Sequence, residues 1–274
     1  MIRDITIGQY YPTDSIIHKL DPRLKIACTF VFLISLFIQR SILGYGLATL
    51  LLAAVIIIGQ LPLKLILRGL RPILILLLIT ILFNLFLTGG GELIFSFGFL
   101  TIYEYGLITA VFMGVRLIYL IIGSSVMTFT TTPNALTDGL EALLKPLEKL
   151  KVPVHEVAMM MSIALRFIPI LLEEADKIRK AQIARGANLD TGSIFRRVKA
   201  TIPIIVPLFV SAFRRADDLA LAMEARCYHG SQGRTKMKPL VYQSRDYLVY
   251  GIMVLYFCLM VLVGRSLDFS IWIF

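Results

Sequence analysis

Residues 41–63 read SILGYGLATLLLAAVIIIGQLPL and residues 72–91 read PILILLLITILFNLFLTGGG, neither containing an Asp, Glu, Lys or Arg. An α-helix of about 20 apolar residues, rising about 1.5 Å per residue, crosses the roughly 30 Å hydrocarbon core of a bilayer. Lipid offers the backbone no hydrogen-bond partner, so charge-free runs of this length are read as spanning helices. Outward from these, Tyr247–Val263 is a third such run. Ile26–Ile38 is shorter, bounded by Lys25 and Arg40, and it spans if both long side chains snorkel toward the headgroups. Gly106–Thr130 is long enough but carries Arg116, whose charge would be costly at the bilayer centre unless it faces protein, water or a partner.

Composition agrees: 274 residues, 57% hydrophobic and only 17% charged, with a mean hydropathy of +0.80, outside the range of soluble domains. The expected fold is an all-α integral membrane protein with about five transmembrane helices. Cys28, Cys227 and Cys258 have no paired spacing, which argues against a disulfide framework and against a zinc or iron–sulfur site. The first 25 residues carry Asp4, Asp14 and Asp21 and no apolar run leading to a cleavage site, so no removable signal peptide is expected.

The net charge of +10 is better read as a loop charge bias than as a nucleic-acid surface, so no nucleic acid is expected as a partner. In the five-span arrangement, residues 1–25, 60–72 and 131–245 hold 25 of the 28 Lys and Arg, and the opposite side holds only Arg40 and Arg265. By the positive-inside rule the N-terminus is cytoplasmic and the C-terminus external. The chain then divides into a membrane domain at 1–130, a coupling module at 131–245 that is cytoplasmic or interfacial, and a last span at 246–274. Within the module, Val154–Leu172 and Ala200–Phe213 are apolar, yet Pro153, Pro169, Pro203 and Pro207 punctuate them and Arg166 interrupts the first. If both crossed, Lys177, Arg179, Lys180, Arg185, Arg196, Arg197 and Lys199 would all lie outside. They are read instead as helices along the inner leaflet.

The module contains a repeat at an offset of 41 residues: Ala175-Asp176 through Ala181, Ala184-Arg185-Gly186 matches Ala216-Asp217 through Ala222, Ala225-Arg226-Cys227. The first copy starts with Glu173, Glu174 and Asp176 and ends with Lys180 and Arg185, and the second runs from Asp217 and Asp218 to Arg226, a polarity that suits the helix dipole. Gly186 is a C-terminal stop for the first copy, and Gly230 is expected to serve the second. Alanines three apart (Ala181 and Ala184, Ala222 and Ala225) leave a smooth strip for close backbone approach. A terminal guanidinium offers a planar fork of donors to a carboxylate or to a helix end. Two such helices form a two-pronged plug.

These residues resemble the transmembrane T component of energy-coupling factor (ECF) transporters, the EcfT/CbiQ family. Its hallmark is a pair of Ala-Arg-Gly motifs at the ends of two cytoplasmic coupling helices, here Ala184-Arg185-Gly186 and Ala225-Arg226-Cys227, with Cys227 replacing the second glycine. His18-Lys-Leu-Asp21-Pro22-Arg23-Leu-Lys25 and Thr132-Pro133 also look like the family, so the resemblance covers the whole chain. It implies a multi-pass scaffold in the bacterial cell membrane. The scaffold would join a vitamin- or metal-binding S component to two cytoplasmic ATPases of the EcfA and EcfA′ kind, each taking one Arg-tipped helix. It leans toward a shared module rather than one dedicated to cobalt or nickel.

No Gly-Lys pair occurs, so no phosphate-cradling loop of the usual kind is present, and ATP and Mg are expected on the partners, with no cofactor on this chain. His155-Glu156 starts like a zinc-protease helix, but Met159 stands where the second histidine belongs, and His18, His155 and His229 are scattered; no metal site is expected. Arg116 has two open readings: a functional intramembrane charge, or a structural group paired with an acid or a backbone carbonyl. Met159, Met160 and Met161 also have two: a re-packable contact with S components, or a lipid-facing side. Asp21 is expected to cap the first helix, with Pro22 at its first position. A stand-alone secondary transporter or channel would favour inverted repeats and midplane polar groups. Only Arg116, Asn84 and a few hydroxyls are available.

Overall fold

The computed structural model describes residues 10–39, 41–91, 93–97, 100–187, 194–230, 237 and 239–266. Arg40, the start of the chain with Asp4, and the external C-terminus expected after the last span lie outside the described residues. The described residues divide into two compact units, one within residues 10–139 and 240–266 and the other within residues 140–239.

The first unit holds α1 (Pro22–Ile38), α2 (Ile42–Ile58), α3 (Leu63–Leu70), α4 (Leu74–Leu87), α5 (Glu104–Thr130), the start of α6 (Pro133–Leu144) and α9 (Ser244–Ser266). Between α4 and α5 a short antiparallel hairpin pairs β1 (Leu93–Phe97) with β2 (Leu100–Tyr103), a small departure from an otherwise helical described chain. Four described helical stretches are long and apolar enough to cross a membrane: Leu63–Leu87, Glu104–Thr130, Val154–Ala184 and Ser244–Arg265. Ile42–Ile58 is apolar but shorter. The protein is a multi-pass cell-membrane protein.

Local chemistry sets the helix ends. Asp21 caps α1, its carboxylate accepting the Arg23 N–H at 2.9 Å with Pro22 in the first turn, where a missing N–H costs nothing. Ser41 caps α2 by accepting the Gly44 N–H. Lys64, Arg68 and Arg71, assigned from sequence to a loop, belong to α3 and a single 3-10 turn, Arg71–Ile73, that leads into α4. Pro72 cannot donate, so the helix tightens there instead of breaking.

In lipid the hydrophobic effect does not drive helices together. Close packing does, and small residues make it possible. Gly106 on α5 lies under the end of α4; a Cβ there would sit 2.8 Å from the Thr88 carbonyl oxygen and 3.0 Å from that of Leu85. Gly114, two turns on, receives Ile81. The α1/α5 pair is antiparallel and keeps step over its whole length. Lys25 Nζ donates to the Thr130 carbonyl, the Phe32 ring fills the space above Gly123, and Arg116 Nη2 donates to the Gln39 carbonyl. Each advance of seven residues on α1 is matched by seven back on α5, the two-turn repeat of left-handed helix packing. Phe32 and Leu36 then meet Tyr45, Ala48 and Leu52 of α2 and Met253, Tyr256 and Met260 of α9 in one core, where Ser35 and Tyr256 share a buried hydrogen bond of 3.0 Å.

Lys25 does not snorkel. It is 8% exposed, and its ammonium donates to the carbonyls of Thr130 at 2.8 Å and His18 at 3.0 Å. The end of α5 presents unpaired carbonyls and a partial negative charge that draw the cation inward. Burial and the neighbouring Lys25 hold the His18 imidazole below its usual range. The neutral ring donates from Nε2 to the Tyr11 carbonyl at 3.0 Å and accepts the Ser15 hydroxyl at Nδ1, 2.7 Å away.

The second unit is built on α7 (Val154–Ala184) and α8 (Ile194–Glu224), each 31 residues long. Each apolar stretch and the repeat copy that follows it form one helix, with Pro169, Pro203 and Pro207 inside. None of these prolines ends its helix, and for one of them a partner meets part of the cost. Pro207 leaves the Pro203 carbonyl without its helical donor, and the Gln182 amide reaches it at 3.4 Å.

Candidate functional site: two arginine-capped helix ends

Arg185 is the C-cap of α7. Beyond it Gly186 turns left-handed, at φ +87°. The Gly186 N–H donates to the Ile183 carbonyl at 2.9 Å and the Ala187 N–H to the Gln182 carbonyl at 3.0 Å. These are the paired bonds of a Schellman termination. At the end of α8 the Cys227 N–H donates to the Glu224 carbonyl at 2.9 Å and the Tyr228 N–H to the Met223 carbonyl at 3.1 Å. Cys227 takes the left-handed position, at φ +57°. The two turns are the same, bond for bond, at the 41-residue offset of the repeat, and Arg226 holds the place of Arg185. Gly230 is therefore not the stop for the second helix: Cys227 is, and Gly230, at φ +94°, lies beyond the turn.

A side chain in the left-handed region costs about 1–2 kcal/mol, because its Cβ crowds the carbonyl. Replacing it with glycine returns that strain but loosens the unfolded chain by about 0.4–1 kcal/mol. Cys227→Gly should therefore stabilise the protein by about 0.5–1 kcal/mol, read as a higher melting midpoint in detergent.

Arg185, Arg226, Gly186, Cys227, Ala184, Ala225, Ala181 and Ala222 are all exposed. The structure does not place the two arginines side by side as prongs of one plug. Glu174 of α7 accepts from Ser211 at 2.6 Å and Arg215 at 2.7 Å on α8, and Gln182 meets Pro203, so eight residues forward on α7 correspond to eight back on α8. The helices are antiparallel, and their arginine ends run in opposite directions from the Glu174 contact. At 1.5 Å per residue the tips are separated by up to about 40 Å along the pair. Glu174 and Arg215 are themselves matched positions of the two repeat copies. The two donors on Glu174 hold its carboxyl below the usual carboxylate range, so this link stays ionised at neutral pH.

Between the helices runs an apolar groove lined by Ile163, Phe167 and Leu171 of α7 and by Ala212, Ala216 and Ala220 of α8, with Arg215 at its edge. Sequence reasoning placed the smooth alanine strip nearer the tips, at Ala181 and Ala222. The four-residue spacing of Ala212, Ala216 and Ala220 was the signal that identifies the strip facing the groove. Of the methionines, Met159 is half-buried, while Met160 and Met161 are 57% and 43% exposed. Phe195, Val198, Phe209 and Phe213 are also more than half exposed on α8, which leaves the pair with broad apolar faces uncovered.

Arg116 lies apart from these, in the first unit. Its Nε donates to the Tyr45 hydroxyl at 2.9 Å and its Nη2 to the Gln39 carbonyl at 3.2 Å, while Phe37 lies 5.8 Å from the guanidinium carbon. Of its two readings, pairing with a backbone carbonyl describes these contacts: Gln39 is the C-cap of α1, and the arginine supplies the donor which that helix end lacks. His155 Nδ1 lies 2.9 Å from Glu141 Oε1, within hydrogen-bond distance.

The chain matches the CbiQ family, described as cobalt transport protein, over residues 13–237. The chain belongs to this family. Curated CbiQ-family relatives agree along nearly its whole length. It is 52% identical over 273 residues to the energy-coupling factor transporter transmembrane protein EcfT of Clostridium kluyveri, covering 99% of each chain. Its identity to the protein of that name from Ruminiclostridium cellulolyticum is 54%, over 93% of this chain and 96% of the other. For that of Bacillus subtilis it is 47%, over 90% and 93%.

Proposed function

We propose that this chain is the transmembrane scaffold of an ECF-type importer and that its two arginine-capped helix ends each dock on one of two cytoplasmic ATPases. The observation that carries this reading is the identical termination of α7 and α8 at opposite ends of one antiparallel pair. Two equivalent tips about 40 Å apart suit two similar motor subunits, one at each end. ATP and Mg would be held by those subunits. Their movement on ATP binding and hydrolysis would tilt the helix pair, and a substrate-binding S component would reorient in the bilayer to release a vitamin or metal ion inside. Met159, Met160, Met161 and the α7/α8 groove offer that component an adaptable apolar surface.

The placement of α7 and α8 under the inner leaflet follows charge rather than length. Val154–Ala184 is long and apolar enough to cross, but Lys177, Arg179, Lys180 and Arg185 at its end belong on the cytoplasmic side by the positive-inside rule. The chain carries no substrate motif of its own, which suits a module serving several S components over one dedicated to cobalt or nickel.

Purification through a tag on this chain tests the reading. Two ATPase chains should copurify from its native membrane, and the chain alone in liposomes should give no flux of labelled vitamins or divalent cations. Flux from the isolated chain would instead identify a stand-alone secondary transporter or channel.

A further inference from the structure

The chain passes between its two units at two places, after Gly139 and before Leu240. Both lie against the first turn of α1. On the outgoing side, a Cβ at Gly139 would stand 3.1 Å from Pro22 Cβ and Ile26 Cδ1 and 3.2 Å from the Pro22 carbonyl carbon; glycine lets α6 rest on that backbone without pushing these neighbours aside. Just before α6, the Thr130 carbonyl accepts Lys25 Nζ at 2.8 Å. On the returning side, the Leu240 carbonyl accepts Arg23 Nη2 at 2.5 Å, and the Arg23 guanidinium covers the Tyr242 ring, 4.8 Å from its centroid. Asp246, 1% exposed, then ties the returning segment to the start of α1. Its Oδ1 accepts the Asp21 N–H at 3.1 Å and its Oδ2 the Gln243 N–H at 2.7 Å.

We propose that the first turn of α1, Pro22–Ile26, is a clasp: Arg23 and Lys25 are positioning residues that fix both crossing points, so that displacement of the Leu140–Pro239 unit moves α1 instead of being absorbed at loose hinges. The inference rests on the coupling function proposed above. The physical argument is one of stiffness. Two cations two residues apart on one helical turn reach the segments that lead to the two crossing points, Lys25 at the end of α5 ahead of α6 and Arg23 at Leu240, and each donates to a backbone carbonyl, which no side-chain rotation can withdraw. A helix cap alone would need neither the Leu240 contact nor the close seat at Gly139. α1 in turn keeps step with α5 and shares a core with α2 and α9, so the clasp leads into the packed centre of the first unit.

The test uses the native complex with its two ATPases, reconstituted in proteoliposomes and supplied with radiolabelled B vitamins. Arg23→Leu should leave ATPase recovery and ATP hydrolysis near the wild-type level and lower vitamin uptake per ATP hydrolysed by about tenfold. Arg23→Lys, which keeps a charged donor, should restore most of that ratio, a rescue that general destabilisation would not give. Unchanged uptake per ATP in Arg23→Leu overturns the clasp. If Arg23→Leu does not assemble, amide exchange in the wild-type complex decides. Residues 240–246 and 130–139 should exchange as slowly as α1 with and without ATP, and selective opening of either segment during turnover overturns the proposal. Arg185→Glu with Arg226→Glu is run alongside. If that double variant keeps its ATPases, the coupling reading fails, whereas failure of the clasp alone leaves its loss of ATPases intact.

Discussion

Arg185→Glu combined with Arg226→Glu is expected to reduce ATPase copurification and vitamin uptake to background while the chain remains folded. Both side chains are exposed at helix ends, and neither takes part in the Glu174–Arg215 link or the Gln182 contact that join α7 to α8. Surface substitutions of this kind change folding stability by about 0.5 kcal/mol or less. Disrupting a desolvated, hydrogen-bonded charge at an interface costs about 2–5 kcal/mol, so two reversals should weaken docking by roughly a thousandfold or more. Each single variant should lose part of this, because the other tip still holds one motor. Pull-down of the tagged chain, with circular dichroism as the folding control, reads the outcome. Wild-type recovery of both ATPases together with wild-type uptake would rule out the assignment of these tips.

The largest effect on the fold is expected from Gly106→Val. The Cβ alone would lie 2.8 Å from the Thr88 carbonyl oxygen and 3.0 Å from that of Leu85, and both obstacles are backbone at the end of α4, which cannot rotate away. Overpacking of this kind typically costs about 1–3 kcal/mol, and a β-branched residue against a fixed backbone should fall at the upper end of that range. Gly114→Ala should be milder. Its new Cβ meets Ile81 Cδ1 at 3.2 Å, the movable end of a side chain. Detergent melting of the two variants, with wild type as reference, should rank them in that order; equal midpoints would show that the α4/α5 contact is not tight.

Much of this architecture was legible because lipid leaves few alternatives. Charge-free runs must be helices, and Asp21-Pro22 must start one. The repeat was legible too, since it is a pattern of residue types. The pairing of the helices depends on contacts distant in sequence. Nothing around Lys25 indicates that Thr130 would draw it inward, and nothing around Arg116 identifies Gln39. The prolines in α7 and α8 suggest breaks to any local reading. At Pro207 the helix continues with a donor that Gln182 supplies from the other helix. At Cys227 the local backbone bonding overrides residue preference: a residue that disfavours the left-handed turn adopts it, since both bonds of the termination form around it. That the tips point apart follows from Glu174 and Arg215. Both are visible in the repeat, but their ion pair becomes visible only when the helices are laid side by side.

α1 and α2 have 17 residues each and α5 has 27, lengths of about 25 Å and 40 Å. One bilayer about 30 Å thick in its core can hold both only if the long helix tilts or extends beyond it and the short pair meets thinner lipid. Where the lipid tails beside the short pair compress, the cost is fractions of a kcal/mol per Å. That elastic cost falls when another short-spanned protein occupies the thinned edge, so the bilayer itself can sort neighbours to that side before any side chain meets them.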